Sequence, residues 1–136
     1  MKLKLCVMSL IFCSHFVLAD IAVIVHPSNS NAMDASAISR LFLGKSKKFP
    51  DGSVAIPLNQ IEASSATGQF NSKVLKKSSS QLKAYWSKLV FTGKGSPPKS
   101  VDNNVAVIDL VASNPNIIGY VDSSAITDKV KVLTTF

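Results

Sequence analysis

The residues best suited to chemistry lie together in "NQIEASSATGQF", residues 59–70. Ser64, Ser65 and Thr67 put hydroxyls at the expected start of a helix, with Phe70 and Val74 on its buried side. The first amides of a helix have no intrahelical partner and the helix dipole favours negative charge there, so this stretch suits a small anion. Gln60 adds an amide donor just upstream. Two features oppose that use. Ser64 or Ser65 can cap the helix and occupy the same amides, and Glu62 brings a carboxylate to where the anion would sit.

Other chemistries find less support. A phosphate-cradling nucleotide loop needs Gly-Lys-Ser/Thr at its end, whereas "TGKGSP" follows Lys94 with Gly95. The carboxylates Asp20, Asp34, Asp51, Glu62, Asp102, Asp109, Asp122 and Asp128 show no spacing that pairs an acid with a base. Asp34 and Asp102 have a sufficient role as helix caps. His26 follows the first expected strand, a place where α/β proteins bind ligands, but it lies in a turn beside Pro27, where a surface residue is the plainer reading. Trp86 and Tyr85 fall in a helical apolar stripe, which assigns Trp86 to the core. No reaction, cofactor or metal follows from these residues.

The elements that must position the site begin after a leader. "MKLK" and the apolar "LCVMSLIFCSHFVLA" have the basic start and short apolar core of a secretory signal peptide, with a cut expected after Ala19. The run is shorter than the ~20 residues of a membrane span. Residues 20–136 then form one domain of 117 residues, free of thiols because Cys6 and Cys13 leave with the leader. Losing Lys2 and Lys4 leaves 13 basic against 8 acidic residues, so the charge falls from +7 to +5. A basic secreted chain points to small anions, an acidic partner or the envelope surface rather than to nucleic acid.

"IAVIV" at residues 21–25 reads as a buried strand, followed by a helix capped by Asp34 and closed at Gly44. "SVAIP" reads as a second strand with Val54 and Ile56 inward and Pro57 near its end or at an edge. Residues 63–76 form an amphipathic helix through Ala63, Ala66, Phe70 and Val74. A serine cap in "KKSSSQ" starts another, whose apolar face is Leu82, Tyr85, Trp86, Leu89 and Val90. "FTGKGSPPKS" is a loop, Val105, Ile108 and Val111 give a fourth helix, and "IIGYVD" and "KVKVLTTF" are closing strands. The result is an α/β fold, a small mixed sheet flanked by helices.

In this order the motifs resemble one lobe of the phosphate-binding proteins of ABC uptake transporters, within the type 2 periplasmic binding-protein superfamily. "AVIVHPSN", "ISRLFLGKSKKFPDG", "IPLNQIEASSATGQF" and "NPNIIGYVDSSA" carry the resemblance. "YWSKLVFTGKGSPPK" matches a group of short, single-lobe relatives. The resemblance implies a periplasmic, non-enzymatic solute-binding domain with a small anion such as phosphate as ligand and an ABC transporter permease as partner. In the family an Arg, a Ser, a Gly and a Thr of the ligand segment bind phosphate; aligned on Phe70, those positions are Gln60, Ser64, Ser65 and Ala66. Only Ser64 is unchanged. Gln60 lacks the arginine's charge and bidentate grip, and Ala63 replaces a glycine that lets backbone approach the ligand. The contacts expected here are Gln60, Ser64, Ser65 and Thr67, with Ser28 and Asn29 on the same side. A lone lobe leaves the anion open to water, so a homodimer would have to rebuild the cleft. The competing reading is an envelope interaction module that keeps the fold and meets an acidic partner through "KSKK" and "TGKGSPPK".

Overall fold

The computed structural model describes residues 20–136. The leader and its cut after Ala19 lie outside the described residues. The elements are β1 (Ile21–Val25), α1 (Ala35–Phe42), β2 (Ile56–Gln60), α2 (Ser65–Phe70) running into a π-helical turn (Asn71–Leu75), α3 (Ser79–Phe91), β3 (Lys99–Val101), α4 (Asn104–Ser113), β4 (Ile117–Asp122) and β5 (Lys131–Thr135). The sheet is mixed, with strand order β3-β2-β4-β1-β5. β2 runs parallel to β3 and β4, while β1 runs antiparallel to β4 and β5. No helix among the described residues is long and apolar enough to cross a membrane.

β1 is apolar throughout because both of its faces are covered. Ile21, Val23 and Val25 join Ile38, Phe42, Phe70 and Tyr120 on the side of α1 and α2, and Ala22 and Ile24 join Val107, Ile108 and Val111 beneath α4. Each buried Val, Ile or Phe among them contributes about 1.5–3 kcal/mol by leaving water. The first core centres on an aromatic trio. Phe70 stacks on Tyr120 with centroids 4.0 Å apart, and Phe42 meets Phe70 edge-on at 4.7 Å. Across the sheet, Gly119 lets α4 come close, since a Cβ there would stand 2.6 Å from Val107 Cγ1.

Asp34 caps α1 as expected, its carboxylate accepting from the Ala37 amide at 2.8 Å. Gly44 takes the left-handed conformation just past that helix, with φ +71°. Ser78 caps α3 through a reciprocal pair with Gln81, each side chain accepting from the other residue's amide.

Several expectations fail for reasons of packing. The second strand runs from Ile56 through Pro57 to Gln60, and the inward side chains are Leu58 and Gln60, while Val54 and Ile56 are 54% and 43% exposed. Pro57 is tolerated in an interior strand because the Ile56 amide faces β4, donating to Asn116 O at 2.7 Å, so the proline nitrogen faces the other side. There β3 pairs only with Leu58 to Gln60. β3 itself occupies the end of the stretch expected to be all loop. Asn103, not Asp102, caps α4, its side chain accepting from Ala106 N at 3.0 Å. Val105 is exposed, and Val107, Ile108 and Val111 form the buried face. The third helix buries no residue fully, and Trp86 is half-buried rather than core. The helix expected over 63–76 starts two residues late, leaving Ala63 exposed, and ends at Lys76 with φ +54°.

Candidate functional site

The end of β2 and the start of α2 bring Gln60, Ser64 and Thr67 together, and the three satisfy one another and the sheet rather than solvent. Gln60 lies at an inward position of an interior strand and is 2% exposed. Its Nε2 donates to Tyr120 O at 2.9 Å and to Asn104 Oδ1 at 3.0 Å. Ser64 Oγ donates to Gln60 Oε1 at 2.6 Å. A buried primary amide has two donors and a carbonyl to satisfy, and here all are engaged. Thr67 Oγ1, also buried, donates towards Ile61 O at 2.8 Å and Gln60 O at 3.2 Å.

A second tier holds this arrangement. Asn104 donates from Nδ2 to Asp122 Oδ2 at 2.9 Å, and its Oδ1 also accepts the Asp122 amide. The Tyr120 hydroxyl donates to Asn59 Oδ1, accepts from the Gln60 amide at 3.2 Å and lies 3.4 Å from Thr67 Oγ1. Burial pushes the Tyr120 phenol above its ordinary pKa, against the hydrogen bonds from Thr67 and the Gln60 amide that lower it. Spacing alone could not find Asn59, Asn104 and Tyr120, because they are adjacent only through β2, α4 and β4. The sole hint was that "IIGYVD" carries a polar tip at one of its buried positions.

Ser64 is the residue before α2, yet its side chain caps no amide of that helix. Its hydroxyl is turned to Gln60, so the expected competition between capping and ligand binding does not arise. Ser65 is exposed. The electrostatics do not favour an anion. Asp122 is half-buried behind Asn104, and Glu62 is exposed beside the turn, with Lys83 Nζ 3.4 Å from its Oε2. The Ser79 hydroxyl donates to Glu62 Oε1 at 2.7 Å, and with Lys83 it holds that carboxyl below its usual range.

Ser28 and Asn29 do not share this side. β1 places Ile21 beside Asp122 and Val25 beside Ile118, so the residues after Val25 stand at the far end of the sheet from Gln60. Asn29 Oδ1 accepts the Asn31 amide at 2.9 Å and Asn29 O accepts Lys131 Nζ at 3.0 Å, which makes it a turn-forming residue. His26 Nδ1 lies 2.7 Å from Ser28 Oγ in the same turn.

Among the depressions on the surface of the described residues, three bear on function. A groove of about 680 Å³ runs between α3 and the ends of β2 and β3, lined by Asn59, Thr67, Asn71, Leu82, Trp86 and Pro98 among others. A hollow of about 540 Å³ lies by Gly68, Lys76 and Lys77. The third, of about 310 Å³, sits where the two lysine-rich loops meet, with Lys47 and Lys99 on its lips and Val54 and Ile56 in its wall. Among the described residues no group of three or more His, Cys, Asp or Glu side chains is placed to hold a metal ion.

No family model and no curated protein matches the sequence. Solved structures do match the fold. An ABC-type phosphate transport receptor from Vibrio cholerae superposes with a TM-score of 0.68 at 14% identity, over 85% of this chain and 46% of that one. A putative phosphate ABC transporter substrate-binding protein from Clostridium perfringens, solved with bound phosphate, gives 0.65 at 18% identity, over 85% and 45%. PstS from Borrelia burgdorferi gives 0.60 at 14% identity, over 85% and 47%. The chain thus spans less than half the length of these proteins, and it has the α/β fold of a single lobe of a periplasmic binding protein. At these identities the likeness is one of fold.

Proposed function

We propose that this chain is a non-enzymatic periplasmic solute-binding domain that takes phosphate or a related oxyanion weakly and works with an ABC transporter permease. The observation that carries this reading is the turn from β2 into α2, where the Ser64 side chain caps no amide of the helix and Ser65 stands exposed. Gln60, Ser64 and Thr67 support the turn from behind and are not ligand contacts in this reading. The remaining contact is exposed Ser65 at the start of α2, since Thr67 N already donates to Ser64 O at 3.1 Å and Ala66 is fully buried, so affinity is limited to roughly the millimolar range, about 4 kcal/mol. A second copy closing over the turn would exclude water and strengthen it. Calorimetry with phosphate and sulfate tests the reading. Saturable heat that Ser65→Ala reduces several-fold is the expected result, and no heat at millimolar anion overturns it.

A second reading is favoured by one observation. Lys47 and Lys99 converge across the small pocket whose wall exposes Val54 and Ile56, and no carboxylate lines it. That surface fits an acidic segment of an envelope protein with an apolar anchor residue. Cross-linking in the envelope should then capture one protein that the Lys47→Glu, Lys99→Glu double variant loses; capture indifferent to that charge reversal removes the reading.

A further inference from the structure

Among the described residues Phe91 is the most exposed large apolar side chain, at 93%, and its neighbour Val90 is 55% exposed. The chain folds back directly after them. Gly93, with φ +69°, donates its amide to Val90 O at 3.1 Å, and the Lys94 amide donates to Leu89 O at 2.9 Å. Lys94 therefore stands beside the last turn of α3. Lys88 is exposed three residues before Phe91, on the adjoining part of the helix surface.

The charge around this tip has one sign. Residues 63–101 hold seven lysines and no Asp or Glu. Glu62 answers Lys83, but neither Lys88 nor Lys94 has a carboxylate partner among the described residues. The adjoining Thr92 hydroxyl is turned back onto Lys88 O at 2.8 Å. What faces outward is an apolar ring between two flexible point charges. A protein interface fixes orientation with directional hydrogen bonds. A bilayer surface instead takes an aromatic ring at headgroup level and attracts lysines through its negative potential, without a fixed geometry.

We propose that the C-terminal end of α3 docks on an anionic lipid surface, with Phe91 entering the interface and Lys88 and Lys94 meeting the headgroups. The site lies apart from the Ser65 turn and uses neither Lys47 nor Lys99, so it rests on neither reading above. The 13 residues of α3 set Lys76 and Lys77 near its other end, about 20 Å from the tip. That is well beyond the ~8 Å screening length at physiological salt.

Sedimentation with lipid vesicles tests this, using residues 20–136, which contain both apolar cores. Saturable binding is expected to vesicles of equal parts phosphatidylglycerol and phosphatidylcholine, and none to phosphatidylcholine alone. Phe91→Ser should weaken it about tenfold. Lys88→Gln with Lys94→Gln should weaken it about twentyfold. Lys76→Gln with Lys77→Gln, the same loss of charge at the far end, should change it by less than about twofold. Phe91, Lys88 and Lys94 are exposed, so their substitution leaves the cores intact, and Ser65, Lys47 and Lys99 stay in place. Loss of vesicle binding is thereby separate from loss of oxyanion binding or of protein capture. No binding to the mixed vesicles, equal binding to both kinds, unchanged affinity in Phe91→Ser, or equal losses in the two lysine pairs would each overturn the proposal.

Discussion

Ser64 Oγ donates to Gln60 Oε1 at 2.6 Å, so the two residues that sequence alignment places in a ligand site bond to each other. The bond closes the Gln60 amide, whose nitrogen is already held by Tyr120 O and Asn104 Oδ1. Gln60 reaches inward and ties β2 to β4 and α4.

Removing that hydroxyl should therefore be felt in stability before it is felt in binding. Ser64→Ala leaves a buried acceptor on Gln60 unpaired, which costs about 1–2 kcal/mol and lowers Tm by roughly 3–8 °C. Thermal unfolding followed by circular dichroism measures it. A shift below about one degree would mean that the Gln60 carbonyl finds another donor.

Alkaline pH should loosen the same region. Burial raises the Tyr120 pKa above the ordinary 10.0. The folded state therefore holds that proton after the unfolded chain has released it. The contribution is complete below the unfolded value and is lost as pH rises through it towards the raised folded value. Denaturant midpoints compared from about pH 9 to about pH 11 should fall more steeply for wild type than for Tyr120→Phe. Parallel curves would contradict this assignment.

The contact beneath α4 gives a test of packing. In Gly119→Ala the new Cβ would meet Val107 Cγ1 at 2.6 Å and Val111 Cγ2 at 3.5 Å. α4 must shift, at a cost of about 1–3 kcal/mol. Adding Val107→Ala should recover part of the loss, so the two substitutions combine non-additively in chemical denaturation. Simple additivity would show that α4 moves freely.

Lys76 ends the π-helical turn with φ +54°, a conformation that a Cβ disfavours. Lys76→Gly should stabilise the protein by about 0.5–1 kcal/mol, less the entropy that glycine adds to the unfolded chain. An unchanged or lower urea midpoint would show that the lysine side chain contributes more than the strain costs.

Much of this architecture could be read from local signals. "IAVIV" and "IIGYV" are strands because unbroken β-branched runs suit interior positions covered on both faces, and Asp34, Gly44 and Ser78 bound their helices through short-range bonds. β2 was misread because alternation alone could not choose which set of side chains faced the core. Pairing to β4 decided it, turning Leu58 and Gln60 inward. The third helix was read as a core helix from its apolar stripe. Three of its five residues, Leu82, Trp86 and Val90, line an open groove instead, and periodicity reports a face without saying what covers it.

By itself the sequence determined most of the element types, β3 excepted, together with the mixed α/β class and the hydroxyl-rich start of α2, because each depends on neighbours a few residues apart. Tertiary structure alone decided that Gln60, Ser64 and Thr67 point into a network with Tyr120 and Asn104, that Ser28 and Asn29 stand at the opposite end of the sheet, and that Asn71 Oδ1 is buried without a hydrogen bond. Those outcomes depend on which strands lie side by side and in which direction. A hydrogen bond spanning 60 residues, as between Gln60 and Tyr120, leaves no periodicity in the chain that makes it.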